Sequence, residues 1–272
     1  MGNIAEKRVM LDDLLENDTK CDCAVAFSGG VDSSLLLKLV CEKAKKNHTR
    51  VYAFTIHTAL HPKAELELTE RLAHEMGAEH VVIFVNELEE AGIENNPKNR
   101  CYLCKKCMFE KVISEAEKRN AVVVLEGTNA DDTKEYRPGL TALKELGIQS
   151  PLMEAGMTKA EVRILAAEYG VSVADRPSSP CMATRFPYNT KLTLPELQNV
   201  ERMEAAIHGL GFYNVRTRIH GNLVRIEVDA EHILKAVELK EELVQIGKEN
   251  GYDYVTVDLE GFRSGSQDLH VR

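Results

Sequence analysis

Tryptophan is absent from this 272-residue chain, and aromatic residues make up only 6% of it. Proteins that bind single-stranded nucleic acid stack its bases on aromatic side chains, so this composition counts against that class. An excess of positive charge is also absent, because the chain has 34 Lys and Arg residues and 43 Asp and Glu residues, which gives a net charge of -9. A broad basic face for nucleic acid is therefore not expected.

Long apolar runs are missing as well. Runs such as residues 121–125 fall far short of the roughly 20 residues that a bilayer crossing needs, and the first residues lack the apolar core of a signal peptide. The sequence therefore predicts a cytoplasmic protein without a membrane segment. Seven cysteines, an odd number, favour reduced thiols or metal ligands over a disulfide framework.

The first half of the chain alternates short β-branched segments with longer helical patterns. This alternation is typical of βαβ units, which build a doubly wound parallel sheet of the α/β class. The predicted strands are residues 23–27, 51–56, 80–85 and 121–126. The predicted helices are residues 33–46, 62–76 and 104–119.

The pattern changes after Thr193, where a helix, two strands, a helix and a strand follow one another. Their predicted bounds are 194–210, 215–219, 223–228, 230–250 and 254–259. Residues 127–188 are rich in turn formers around one helix, 159–169, which Thr158 and Glu161 cap. We therefore predict an α/β domain at residues 1–190 and a smaller α+β domain at residues 191–272.

The most informative segment is the loop between the first strand and the helix that follows it. It consists of Ser28, Gly29, Gly30, Val31, Asp32, Ser33 and Ser34. The glycines let the backbone approach an anion, the hydroxyls can donate hydrogen bonds, and the helix start adds free N–H groups. The loop is therefore a candidate phosphate site. The plainer alternative is a glycine turn that only joins strand to helix.

This loop lacks the Gly-Lys-Ser/Thr ending of the ATPase P-loop and resembles the PP-loop of the ATP pyrophosphatase superfamily. The resemblance implies that ATP is split between its α and β phosphates, with the pyrophosphate in the loop and Asp32 near the magnesium. It also implies that adenosine lies near Phe54 and near Gly127. Asp131 and Asp132 fit a contact with magnesium and a cap of the next turn equally well.

Cysteines form a second candidate site. Cys101, Cys104 and Cys107 have a spacing that suits a metal or a cluster, and Cys181 lies in the irregular segment. Cys101, Cys104 and Cys181 could hold a four-iron cluster by three of its irons. Cys107 fits a spare thiol, a core residue and a fourth ligand alike. Three further cysteines are expected in the core, namely Cys21, Cys23 and Cys41.

From the loop to its C-terminus the chain is similar to the LarE sulfur transferases, which act in making the nickel-pincer nucleotide cofactor of lactate racemase. The segments that carry the resemblance follow in the same order as in that family. They are Asn96-Pro97, Arg100 to Lys105, Glu126 to Asp132, Tyr136 to Gly139, Ser150 to Leu152, Lys159 to Arg163, Pro177 to Tyr188, Arg216 to Arg218 and Gly261 to Gly265. Cys107 and Asn189 depart from the family pattern.

The resemblance implies that ATP and Mg²⁺ adenylylate a carboxylate of pyridinium-3,5-biscarboxylic acid mononucleotide, which then becomes a thiocarboxylate. It implies that Asp32 and Cys181 are catalytic, with Cys181 as the cysteine that donates sulfur. Two kinds of donor occur in the family: a cysteine that loses its own sulfur and becomes dehydroalanine, and a [4Fe-4S] cluster on three cysteines that relays an added sulfide. The pair Cys101 and Cys104 favours the cluster.

Basic residues of the second half are candidates for substrate binding. Arg216 and Arg218 alternate along one predicted strand and point the same way, either as a fork for the nucleotide phosphate or as a charged exposed face. Arg185, four residues after Cys181, is expected to meet the acyl adenylate or the substrate. The resemblance further implies a homo-oligomer, a hexamer, that receives free sulfide or sulfur from a carrier.

Three other functions share some of these features. A tRNA thiolase has the loop and three cysteines, but the acidic composition and the lack of Trp count against it. A non-catalytic metal-binding module would not need an intact loop. An ammonia-using synthetase would not need Cys181.

Overall fold

The computed structural model describes residues 3–58, 60, 64–134, 137–174 and 181–263. Tyr136, residues 177–180 and residues 264–265, which belong to the segments named above, lie outside these ranges. The chain divides into two compact units, Met1–Ala91 with Asn99–Ser179 and Gly92–Lys98 with Pro180–Arg272. The domain boundary between residues 190 and 191 stays a prediction.

The first unit is built on a parallel sheet. Its strands are β1 (Cys23–Ala26), β2 (Val51–His57), β3 (Glu79–Phe84) and β4 (Val123–Leu125). They lie in the order β3-β2-β1-β4. Cys23 is aligned with both Val51 and Val123, so the carboxyl ends of the central strands meet at one edge. In open parallel sheets, ligands bind at this edge.

Helices flank the sheet of the first unit. They are α1 (Ile4–Asp18), α2 (Val31–Asn47), α3 (Ala64–Met76), α4 (Glu87–Glu90), α5 (Arg100–Glu117), α6 (Gly139–Glu145), α7 (Pro151–Glu154) and α8 (Lys159–Glu168). Val25 packs in one apolar cluster with Leu36 and Val162, whereas Ala24 packs in another with Val112. Since neighbouring strand residues point to opposite faces, both faces are covered. The predicted doubly wound α/β fold is confirmed.

The second unit carries a sheet of its own. Its helices are α9 (Leu194–Gly209), α10 (Ile233–Glu238) and α11 (Lys240–Glu249), and its strands are β5 (Val215–His220), β6 (Leu223–Val228) and β7 (Tyr254–Val257). β5 and β6 form an antiparallel hairpin, and β7 pairs with β6 in parallel. Buried side chains of β6, Val224, Ile226 and Val228, form part of its core.

Several helices were predicted with other bounds or were not predicted. α5 begins at Arg100 rather than residue 104, because the Asn99 carbonyl accepts hydrogen bonds from the N–H groups of Tyr102 and Leu103. α1 was not predicted, although Asn3 and Glu6 form a capping box at its start. The helix predicted at residues 230–250 is interrupted at Leu239. Within the ranges described, no helix has both the length and the apolar composition that a membrane crossing requires.

Candidate active site

The loop between β1 and α2 is closed by hydrogen bonds from Ser33. The Ser33 hydroxyl accepts from the Ser28 N–H at 3.3 Å, donates to the Gly30 carbonyl at 3.1 Å, and lies 3.1 Å from the Ser28 hydroxyl. Ser34 is also in α2 but is fully buried. Because α2 starts at Val31 with Gly30 as its extended N-cap, the first N–H groups of the helix face the loop.

Two glycines are needed for this shape. Gly29 has φ +71°, and a Cβ there would lie 2.9 Å from Thr69 Cγ2. A Cβ on Gly127 would lie 2.8 Å from the Ser33 nitrogen. The backbone that leaves β4 therefore passes directly against the first turn of α2, where any side chain would collide with it.

Two side chains hold the Asp32 carboxylate, and neither contact was predicted from the sequence. The carboxylate forms an ion pair with the Lys159 ammonium and accepts a hydrogen bond from Asn129 Nδ2 at 3.1 Å. Asp131 accepts from the Lys159 backbone N–H at 2.9 Å, and Asp132 accepts from the Asn129 N–H at 3.1 Å. Both aspartates therefore cap turns beside Asp32, and a contact of either with magnesium stays a prediction.

A cavity of about 320 Å³ opens at this edge of the sheet, within the usual size range of ligand pockets. Six predicted site residues line it: Ser28, Gly30, Asp32, Ser33, Phe54 and Gly127. Of the other lining residues, three have a titratable side chain and no predicted role: His57, Lys105 and Glu126. Phe54 is almost fully buried, so it contributes an apolar wall.

Glu126 and Lys105 bring opposite charges to the cavity. Glu126 is buried and accepts from the Thr128 N–H at 3.0 Å, from the Thr128 hydroxyl at 2.8 Å and from the Ser150 hydroxyl. Lys105 Nζ lies 3.8 Å from Glu126 Oε2 and 5.2 Å from the ring centroid of Phe109. This lysine sits one residue after Cys104, but nothing in the local sequence indicates its carboxylate partner.

The cysteines differ in their chemistry. Burial raises the pKa of Cys23 and of Cys41 to about 12, so these two remain thiols at physiological pH. Burial and the nearby Glu90 raise the pKa of Cys107. Cys101 is exposed, whereas Cys104 is partly buried and its thiol donates to Glu87 Oε2 at 3.1 Å. None of the seven cysteines forms a disulfide.

Cys101 and Cys104 lie three residues apart in the first two turns of α5 and therefore share a face of that helix. Two sulfur ligands at a helix start fit an iron-sulfur cluster, because the positive end of the helix dipole favours thiolates. Cys181, the third predicted ligand, belongs to the second unit. Among the described residues, no three His, Cys, Asp or Glu side chains form a metal-binding group.

Cys181 begins a short 3-10 turn, Met182–Arg185, in the second unit. Its carbonyl accepts from the Thr184 N–H at 3.0 Å and from the Thr184 hydroxyl at 2.8 Å. Arg185, at the end of this turn, is buried and makes two hydrogen bonds to Glu204, of 2.8 and 2.7 Å. The Glu204 carboxylate thus holds the guanidinium that was predicted to meet the substrate.

Arg216 and Arg218 are both buried on β5 but have different partners. Arg218 donates to Glu227 at 2.9 Å and to the Thr184 carbonyl at 2.6 Å. Arg216 has no carboxylate partner in the described part of the chain. It donates to the Val215 carbonyl at 2.6 Å and lies 5.0 Å from the ring centroid of Phe262. Burial, together with the charge of Arg185, lowers the pKa of Arg216 to about 10, so an anion would be favoured beside it.

The carboxylates of this cluster, Glu204 and Glu227, were not predicted. Glu204 lies on α9 and pairs with Arg185, 19 residues away. Glu227 pairs across the hairpin with Arg218, nine residues away. The alternation of charge along β5 and β6 is the one signal that could have suggested the second pair.

Comparisons with known proteins agree with this geometry. A PP-loop domain model matches residues 4–137. The chain is 38% identical over 243 residues to an uncharacterised protein of Synechocystis sp., covering 89% of this chain and 90% of that protein. It is 33% identical over 265 residues to the pyridinium-3,5-bisthiocarboxylic acid mononucleotide synthase of Lactiplantibacillus plantarum. The match covers 97% of this chain and 95% of that enzyme. A tRNA-specific 2-thiouridylase of Rickettsia bellii is 26% identical over 202 residues, 60% of this chain and 53% of that enzyme.

Proposed function

The chain belongs to the LarE family, and from this membership we propose that it is an ATP-dependent sulfur transferase. Its proposed substrate is pyridinium-3,5-biscarboxylic acid mononucleotide, and its product is the corresponding thiocarboxylate. The observation that carries the proposal is the cavity at the start of α2, where backbone N–H groups, hydroxyls and Lys105 face a space for an anion.

In the proposed first step, a substrate carboxylate oxygen attacks the α-phosphorus of ATP, and pyrophosphate leaves with the electron pair of the broken P–O bond. Ser28, Ser33 and the first N–H groups of α2 would hold the leaving pyrophosphate, as helix starts hold phosphate elsewhere. Phe54 and Gly127 would border the adenosine. When bound near Asp32, Mg²⁺ supplies positive charge to the phosphates.

In the proposed second step, a sulfur nucleophile attacks the acyl carbon, and AMP leaves with the carboxylate oxygen that it acquired. A carboxylate needs such a leaving group before a nucleophile can replace its oxygen. Cys181 is the proposed catalytic cysteine. As a sacrificial donor it would form a thioester through Sγ, then lose its α-proton and its Cβ–Sγ bond, which leaves dehydroalanine and a thiocarboxylate.

The cluster alternative uses Cys101, Cys104 and Cys181 as ligands, and we favour it because of the cysteine pair in α5. When bound, a [4Fe-4S] cluster supplies a position for a labile sulfide. The chain's own part would be to hold the ligands by α5 and by the turn after Cys181.

Substrate phosphate is proposed to bind at Arg216 and Arg218. A buried guanidinium without a carboxylate is electrostatically unsatisfied, and Arg216 is in this position within the described residues. Arg185 would act on the same substrate from the turn that Cys181 begins. The homo-oligomer, the sulfur carrier and the cytoplasmic location remain predictions for this chain.

Pyrophosphate release and thiocarboxylate formation, measured separately with ATP, Mg²⁺, sulfide and the mononucleotide, test this division of labour. Asp32→Ala should abolish pyrophosphate release, whereas Cys181→Ala should retain it and lose thiocarboxylate formation. Loss of pyrophosphate release in both variants would contradict the proposal. Iron analysis of protein purified without oxygen tests the donor: about four irons per chain, lost in Cys101→Ala, indicate the cluster.

A further inference from the structure

We propose that Asn96 is a positioning residue for Cys181, whose turn it holds through hydrogen bonds from its side-chain amide. This inference rests on the proposed catalytic role of Cys181. Asn96 has no role in the proposed function, although it belongs to a segment that carries the resemblance to the family. It is fully buried in the second unit.

The amide of Asn96 faces only backbone carbonyls. Its Nδ2 lies 2.8 Å from the Pro187 oxygen, 3.1 Å from the Phe186 oxygen and 3.5 Å from the Ala183 oxygen. Carbonyls accept and never donate, so this geometry requires the nitrogen of the amide at that place. Among the described residues, Oδ1 of Asn96 is buried without a hydrogen-bond partner. Retaining such an atom is costly, which is consistent with a specific task for the amide.

The backbone of Asn96 reinforces the same contact. Its φ is +47°, in the left-handed region that Asn tolerates better than most residues. Its carbonyl accepts from the Asn189 N–H at 3.0 Å, and the Glu94 carbonyl accepts from the Leu192 N–H at 2.7 Å. The short segment 94–96 is therefore linked to residues 183–192 by several hydrogen bonds.

The hydrogen bonds of Asn96 restrain the turn that carries the Cys181 thiol. Ala183, one of the three acceptors, lies inside the turn that Cys181 begins, and Phe186 directly follows that turn. On another side, the turn is fixed by the pair of Arg185 with Glu204. Asn96 thus adds a restraint, beside those from Arg185 and Arg218, on the backbone that carries the Cys181 thiol.

The orientation of a reacting thiol matters strongly, since a misplacement of about 1 Å can cost about a hundredfold in rate. We therefore expect Asn96 variants to lower the kcat of thiocarboxylate formation by about a hundredfold. The KM for ATP and the rate of pyrophosphate release should stay near their original values. A residue that serves only overall stability would lower all of these together.

Two substitutions separate the hydrogen bonds from the backbone conformation. Asn96→Gly retains the left-handed conformation at no steric cost but removes the amide. Asn96→Asp retains the shape and places an oxygen against the three carbonyls. Asn189→Gly is the matched control, because Asn189 is exposed and also has a positive φ, of 62°.

The test is the alkylation rate of each cysteine in the full chain by iodoacetamide, followed by peptide mass spectrometry, alongside the two activity assays. In both Asn96 variants, alkylation of Cys181 should rise several-fold relative to the exposed Cys101, whereas the buried Cys23 and Cys41 stay protected. Asn189→Gly should match the original protein.

An unchanged ratio of Cys181 to Cys101 alkylation in both variants would overturn the inference, and so would loss of protection at Cys23 and Cys41, which signals general unfolding. An equal effect of Asn189→Gly would do the same. Failure of the proposed function has a different signature, because Cys181→Ala would then retain thiocarboxylate formation whatever the alkylation rates are.

Discussion

The loop of the first unit and the arginine cluster of the second are two proposed anion sites that are built from different groups. The loop uses backbone N–H groups and hydroxyls, so it depends on glycine and on a helix start. The cluster uses side-chain charge, from Arg185, Arg216, Arg218 and Arg225 beside Glu204, Glu227 and Asp258. Substitutions that add side-chain atoms should therefore damage the loop, whereas substitutions that remove a charge should damage the cluster.

Within the cluster, paired and unpaired guanidiniums should also behave differently. Removing one partner of a buried ion pair leaves a charge without compensation, whereas removing a cation that has no carboxylate does not. The contrast between Arg185 and Arg216 therefore separates the effect on stability of losing a paired guanidinium from that of losing an unpaired one.

The largest expected effect is on Arg185. Arg185→Met should lower the free energy of unfolding by about 3–5 kcal/mol, because Glu204 then remains buried without its cation. Arg216→Met should change it by about 1 kcal/mol or less, yet should raise the KM for the mononucleotide. Urea unfolding and steady-state kinetics measure both quantities. Equal destabilisation by the two variants would remove the distinction.

A smaller effect is expected where the loop meets β4. Gly127→Ala places a Cβ 2.8 Å from the Ser33 nitrogen, which should cost roughly 1–3 kcal/mol of stability and weaken ATP binding. Gly209→Ala is the control, since a Cβ there has no neighbour within 4 Å. Isothermal titration with ATP and thermal unfolding report the two effects. Unchanged ATP affinity in Gly127→Ala would show that the close approach does not shape the site.

The smallest expected effect on activity concerns a buried charge that lies apart from both sites. Burial, and then the charge of Glu154, raises the pKa of Asp18 from 3.8 to about 6. The folded chain therefore binds more protons than the unfolded chain between about pH 4 and 6, and this carboxylate lowers stability as the pH rises through that range.

Asp18→Asn should therefore stabilise the chain at pH 7 by up to about 3 kcal/mol, because the shift is about two pKa units and each unit is worth ~1.4 kcal/mol, and by almost nothing at pH 4. Asp13→Asn, at an exposed position of the same helix, serves as the control. Urea unfolding at both pH values measures the difference. A gain of equal size at pH 4 and pH 7 would show that the Asp18 charge is not its cause.

The same contrast decides which parts of the structure could be predicted from the sequence. The loop and the four strands were predictable because their signals are local, as glycines, hydroxyls and a helix start occupy seven consecutive residues. The partners of Asp32 and Arg185 were not, since Lys159 lies 127 residues from Asp32 and Glu204 lies 19 residues from Arg185. Such pairs depend on tertiary packing, which the pattern of one chain does not encode locally.

The fate of the oxygen that sulfur replaces distinguishes adenylylation from other routes to the thiocarboxylate. The full chain is incubated with ATP, Mg²⁺, sulfide and mononucleotide labelled with ¹⁸O in its carboxylates, and the AMP is analysed by mass spectrometry. Activation by adenylylation should yield one ¹⁸O in the AMP for each thiocarboxylate formed, together with one pyrophosphate. AMP without the label, or thiocarboxylate formed without release of pyrophosphate, would contradict activation by adenylylation.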